Sequence, residues 1–312
     1  MYTGAPGAPP QPETKGIAAA YVGLILIWST TPLAVVLSLR DLDAIWSLAL
    51  RMVLAAALAG IALRVAGLKL ARGAAAWRLY AIGSLSMFGA MLFTYLGARH
   101  LPSGMISVLF GLSPLMVGVL SSVFLPGVRL SPLQWVGMVL GLLGLIVIFI
   151  EGDKSAAIDA GSVLLVLLGV LTYAVSAVFM KQASTPLHPL VQTTGALWMS
   201  ALGCVLVLPF LGGPVPLHMP GTLTVVALLY SASFGSIVAM LCYFFLLQHI
   251  AAGTVALTTL MTPVFALLLG MAINHERFHA EILWGMGLIF LGLLAYYEKE
   301  IRVGLSKKEM PA

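Results

Sequence analysis

Apolar stretches of about 20 residues recur along nearly the whole chain, and that is the length a helix needs to cross a hydrocarbon core. Ten can be counted, at roughly 16–37, 44–66, 76–98, 103–125, 132–150, 160–181, 189–210, 222–247, 252–273 and 280–298. Inside lipid every backbone amide must be bonded within the protein, which leaves helices or a closed barrel. A barrel would show alternating strands of about ten residues rather than runs of this length. The expected fold is an all-α polytopic membrane protein with ten transmembrane helices. Only 9% of the residues are charged, against about 25% in an average soluble domain, so a soluble reading is excluded.

The sixteen Lys and Arg sit almost entirely at the ends of the apolar runs. The net charge of +5 therefore reads as membrane orientation, and no nucleic-acid partner is expected. With the N-terminus inside, eleven basic residues fall on the cytosolic side, with clusters after the second and tenth spans. Four (Arg40, Arg99, Lys154 and Arg277) fall outside, and Arg51 lies within the second span. Both termini are thus expected in the cytoplasm. Residues 1–15, rich in Pro and Gly, read as a disordered tail with no signal-peptide pattern, and residues 299–312 as a basic tail. Cys204 and Cys242 lie in apolar segments without metal-ligand spacing. They read as free thiols, and neither a metal nor a cofactor is expected.

The halves of the chain repeat. At an offset of 149 residues Gly104 matches Gly253, Pro114 matches Pro263 and Trp135 matches Trp284. The repeats are placed at 16–150 and 160–298, with 151–159 as the linker. Five spans is an odd number, so the second half must enter the membrane from the opposite side. Inverted repeats of this kind are a recurring architecture of carriers.

Three segments carry a family resemblance: IWSTTPLAV near the start, YLGARHLPSGMISVLFGLSPLMVGVLSS with LSPLQWVGMVLGLLGLIVI, and IAAGTVALTTLMTPVFALLLGMAINHERFHAEILWGMGLIFLGL. The chain resembles the drug/metabolite transporter superfamily, in its bacterial branch with two EamA-type domains that includes YddG-like amino-acid exporters. That resemblance implies a bacterial inner-membrane protein whose two halves line a central cavity and move solute by alternating access. It also implies export as the direction. Family members commonly carry a Gly-Glu pair after the ninth span; here Glu276 follows His275, and its counterpart in the first half is Gly127.

Candidate solute-binding residues follow from polar or aromatic groups inside the spans. Trp28, Ser29 and Thr30 are candidates; with Thr31 they precede Pro32, which removes an amide donor and frees the carbonyl of Trp28. Each hydroxyl can instead bond a carbonyl one turn back. Pro114 and Pro263 interrupt the repeated pair of helices, and Thr259 and Thr262 surround the second. Pro32, Pro114 and Pro263 are the candidate hinges. Tyr95, Phe110, Tyr173, Phe234 and Tyr243 supply rings for an apolar side chain. Arg51 lies about seven residues into its helix, roughly 10 Å below the outer boundary. It either snorkels outward or meets a substrate carboxylate.

All eleven Asp and Glu and all six His lie in tails, loops or span ends. A proton relay through such a residue within a span is therefore not expected. No nucleophile, metal cluster or phosphate-cradling motif points to an enzyme or to ATP hydrolysis. The sequence reading is a carrier that exports small neutral metabolites, amino acids foremost, as uniporter or exchanger, surrounded by membrane lipid and with no obligate protein partner. The alternatives are a broad drug or metabolite efflux carrier, a channel, or a membrane scaffold that transports nothing.

Overall fold

The computed structural model describes residues 14–125, 127, 129–155, 159–183, 187–249, 258–275 and 280–298. Regular structure among these is entirely helical. The helices are α1 (Thr14–Ser38), α2 (Ala44–Val65), α3 (Ala74–Gly97), α4 (Ser103–Phe124), α5 (Pro132–Ser155), α6 (Ala160–Gln182), α7 (Pro189–Leu211), α8 (222–249), α9 (Thr258–Asn274) and α10 (Ala280–Tyr296). Among the described residues seven of them, α1 to α4 and α6 to α8, have the length and apolarity to cross a membrane. The other three contain shorter apolar stretches, Pro132–Val147, Met261–Asn274 and Leu283–Tyr296. Helix α5 runs on to Ser155, into the stretch expected as a linker, since no proline interrupts it. Glu276 lies outside the described residues.

Helix starts are marked by side chains that take up the first free amides. Asp43 accepts from the Ile45 amide at the start of α2 and His188 from the Leu190 amide at the start of α7. The two caps are 145 positions apart, as are Trp28 and Tyr173.

Lipid tails are as apolar as leucine, so helices associate through close packing rather than through burial from water. The α5–α10 pair shows this. A Cβ on Gly137 would stand 2.5 Å from the Gly292 carbonyl oxygen, and one on Gly144 would stand 2.5 Å from that of Gly285. Two glycine pairs thus set the helix separation.

The helix pairings follow an exchange of the two halves. Helix α3 packs on α6 as α8 packs on α1, and α4 packs on α6 as α9 packs on α1. Likewise α3 meets α7 as α8 meets α2, while α2–α7, α4–α9 and α5–α10 map onto themselves. The halves therefore interlock, and α5 and α10 sit together away from the others' shared centre.

Two helices depart from α geometry. In α3 the segment Leu85–Gly89 is a π-helix, and in α8 the segment Ser231–Val238 is another. Widened turns of this kind occur mostly as single bulges, often at functional sites. Helix α4 is also interrupted, at Leu112, with Pro114 in the first turn of its second part. Pro32 and Pro263, in contrast, lie inside helices that continue past them.

Candidate functional site

A cavity of about 160 Å³ lies among α1, α2, α3, α4, α6, α8 and α9. It is small beside the roughly 300–1,000 Å³ of drug-sized sites, which suits a small metabolite. Helix α1 contributes Trp28, Thr31, Pro32 and Val35, and α2 contributes Arg51 and Met52. Both π-helices border the space, through Ser86 and Met87 on α3 and through Gly235 and Ser236 on α8. Corresponding positions of the repeat face it together: Met91 with Met240, and Ser113 with Thr262, each pair 149 positions apart.

Arg51 does not snorkel. Only 3% of it is exposed, and its guanidinium is held at the cavity wall. Nε donates to Ser236 Oγ at 3.1 Å, and Nη1 donates to the Tyr95 hydroxyl at 3.3 Å. The Ser236 hydroxyl in turn donates to the Ser231 carbonyl at 3.0 Å, which leaves its lone pairs toward the arginine. The guanidinium carbon sits 5.9 Å from the centre of the Tyr95 ring, within cation–π reach. Gly235 leaves room for the group: a Cβ there would lie 3.3 Å from Nη2. By the 145-residue spacing of the helix caps, the position matching Arg51 in α7 is Ala196. The cation therefore belongs to one half alone.

The remaining candidates separate into three groups. Trp28, Phe110, Tyr173 and Thr262 line the cavity, with Phe110 and Tyr173 edge to face at 6.4 Å. Tyr95 and Tyr243 stand behind the lining. The first supports Arg51, and the second packs on Trp28 with ring centres 5.5 Å apart. Ser29, Thr30 and Phe234 are turned elsewhere. Ser29 is buried and bonds the Ile25 carbonyl at 2.6 Å, while Thr30 bonds the Leu26 and Ile27 carbonyls and meets the Tyr230 hydroxyl. Phe234 is 48% exposed and stacks on Tyr230, because the π-helix turns it out of the centre. The side chain of Thr259 lies outside the described residues.

Sequence reasoning chose Ser29 and Thr30 over Thr31, and missed Ser86, Ser107, Ser236, Gly235 and the methionines 52, 87, 91 and 240, all of which, like Thr31, face the space. One signal for part of this was present. FG-AML occurs unbroken at 88–92, whereas FG at 234–235 is separated from AML at 239–241 by Ser236, Ile237 and Val238. Three additional residues in a matching helix must be absorbed by wider turns or by a bulge.

One end of the assembly is tied by polar contacts between the halves. Arg40 donates to Asn274 Oδ1 at 2.8 Å, and Trp46 Nε1 donates to the Gly213 carbonyl at 3.0 Å. Asp41 accepts from the Thr224 hydroxyl at 2.6 Å and from the Gly221 amide at 2.9 Å. These bonds, the Thr224 hydroxyl foremost, hold the Asp41 carboxyl below the ordinary carboxylate range. Asp43 pairs with Arg99 at the same end.

Apolar helices of membrane-crossing length around one partly polar internal cavity define a multi-pass membrane protein shaped to hold a small solute. The chain belongs to the EamA-like transporter family, which matches it twice, over residues 14–150 and 160–297. It is 28% identical over 215 residues to the uncharacterized inner membrane transporter YedA of Escherichia coli, covering 69% of this chain and 66% of YedA, just under two thirds of that relative's length. It is 27% identical over 276 residues to the uncharacterized transporter YoaV of Bacillus subtilis, covering 87% and 93% of the two chains. With protein PecM of Dickeya dadantii it shares 30% over 220 residues, 70% and 72% of the chains. A solved structure, described only as a crystal structure of a protein, shares the fold with a TM-score of 0.65 and 19% identity, over 93% of this chain and 99% of that one.

Proposed function

We propose that this chain exports small neutral metabolites, amino acids foremost, across a bacterial inner membrane by alternating access, as a uniporter or an exchanger. In this reading ten helices cross the bilayer as two oppositely inserted units, 16–150 and 160–298, with both termini in the cytoplasm. The excess of basic residues on one side supports that orientation, and YedA is named for the inner membrane.

The observation that carries the reading is one small cavity drawing matched positions from both halves, Met91 with Met240 and Ser113 with Thr262. A site shared in this way can be opened to either side by rocking one half against the other. Pro32, Pro114 and Pro263 are the proposed deformable points. The rings of Trp28, Phe110 and Tyr173 would hold an apolar side chain, Arg51 a carboxylate, and Thr31, Ser113 and Thr262 the remaining polar atoms. Efflux of lipophilic cations is disfavoured, since the ionisable group at the wall is itself a cation and would repel them.

Purified protein in liposomes preloaded with single labelled compounds tests this. Release of neutral amino acids without ATP or an imposed proton gradient is expected. Flux confined to cationic drugs or sugar phosphates would contradict it.

A further inference from the structure

We infer that the cavity selects its solute by net charge: an arylalkyl monocarboxylate anion binds it more tightly than the zwitterionic amino acid with the same side chain. The inference rests on the carrier reading of the same site and adds to its neutral solutes a class of anion that the site binds more tightly. It follows from what surrounds Arg51. The guanidinium is 3% exposed and makes its bonds to neutral oxygens, those of Ser236 and Tyr95, and a long contact to Met91 Sδ at 3.9 Å. Among the described residues no carboxylate lies within ion-pair distance of it. Asp41 and Asp43, the acids nearest in sequence, are engaged with Thr224, Gly221 and Arg99.

A cation withdrawn from water without a counter-charge is costly, and the cost falls when an anion arrives. Nη2 donates no hydrogen bond among the described residues. It lies against Gly235, another residue of the cavity wall, and its unused donors are what a carboxylate reaching that wall would take up. An α-ammonium finds no opposite charge on that wall. Arg51 is the charged residue on the described wall, and the groups around it are uncharged: hydroxyls such as those of Thr31 and Thr94, which donate to the Ile27 and Ala90 carbonyls, offer an ammonium neutral lone pairs and no counter-charge. Bringing an ammonium into that space costs desolvation and adds repulsion from the guanidinium. Phe110 and Tyr173 give the anion's aryl end a place to pack, and the flexible methionines accommodate variation in its shape.

Three compounds with one phenyl ring separate the charges: 3-phenylpropionate, phenylalanine and phenethylamine. Their affinities for the full chain in lipid nanodiscs at pH 7.5, corrected with empty nanodiscs, are expected to fall in that order. The first step should be about ten-fold or more. Arg51→Gln should weaken 3-phenylpropionate by about ten-fold or more, and Arg51→Lys by less. If Arg51→Gln does not fold, the order in the unaltered protein decides. Phenylalanine binding as tightly as 3-phenylpropionate, or an anion affinity unmoved by folded Arg51→Gln, overturns the inference. If phenylalanine also leaves proteoliposomes normally in that case, the carrier reading stands; no binding of any of the three and no amino-acid efflux removes both.

Discussion

The π-helices of α3 and α8 occupy corresponding places in the two halves, yet they do different things. Leu85–Gly89 is five residues long and Ser231–Val238 is eight, and the surplus is the three residues 236–238 that separate FG from AML. Ser86, in the shorter one, returns its hydroxyl to the Gly83 carbonyl at 2.9 Å and touches no charge. Ser236, in the longer one, is buried and accepts from Arg51. Duplication thus supplies a scaffold with two widened helices at one cavity, and a local extension in one copy, facing an arginine found in only the other, supplies its electrostatics. The site is drawn from matched elements of the two halves and is asymmetric in charge.

Substitutions can break that comparison at several points. The largest effect is expected at Arg51 itself: Arg51→Gln should lower the flux of a carboxylate solute by about ten- to a hundred-fold, the equivalent of roughly 1.5–3 kcal/mol for a charge-assisted bond, read as initial rates in proteoliposomes. Next, Ser236→Ala removes the acceptor of a buried Nε donor and should weaken binding by about five- to ten-fold, near 1 kcal/mol, whereas Ser86→Ala, which takes no partner from the guanidinium, should change it by about two-fold or less. Equal effects at the two serines would dissolve the distinction between the halves.

Gly235 and Gly89 sharpen it further. A Cβ on Gly235 meets Arg51 Nη2 at 3.3 Å and Thr31 Oγ1 at 3.4 Å, so Gly235→Ala should cost about two- to five-fold in affinity by displacing the guanidinium. A Cβ on Gly89 meets Thr172 Cγ2 at 3.0 Å instead. Gly89→Ala should therefore lower the melting temperature with affinity unchanged, which parallel thermal and binding measurements would reveal.

The smallest effect concerns the polar ties at one end. Because folding lowers the Asp41 carboxyl's affinity for its proton, the contact contributes stability above the ordinary aspartate value of about 3.9 and loses it as pH falls through the lowered folded value. Melting temperature should be insensitive to this contact between pH 8 and 5. A slight extra fall should appear in acid, and Asp41→Asn should abolish that extra fall.

Much of the architecture was legible in the chain because lipid imposes long apolar helices and the repeat is dense in glycine and proline. The interruption of α4 next to Pro114 is a case in point. The placement of Trp28, Phe110, Tyr173 and Thr262 at the cavity was also reachable, since rings and hydroxyls in mid-span have few other uses. Ser29 and Thr30 were not separable from Thr31 by type, because all three bond carbonyls of the preceding turn and the helix register alone decides which faces the space. Phe234 went astray for a related reason: a π-helix changes the angle per residue, and in helices that are apolar on every side no hydrophobic pattern records the change. Arg51 was visible as an intramembrane charge, but its inward direction depends on Ser236 and Tyr95, which are 185 and 44 positions away.

The shared cavity can be tested most directly by determining the structure with 3-(4-bromophenyl)propionate bound and locating the bromine by its anomalous signal. The account predicts the bromine beside Phe110 and Tyr173 with the carboxylate on Arg51. A ligand bound with its carboxylate away from Arg51, or a bromine peak only on the lipid-facing surface, would contradict it.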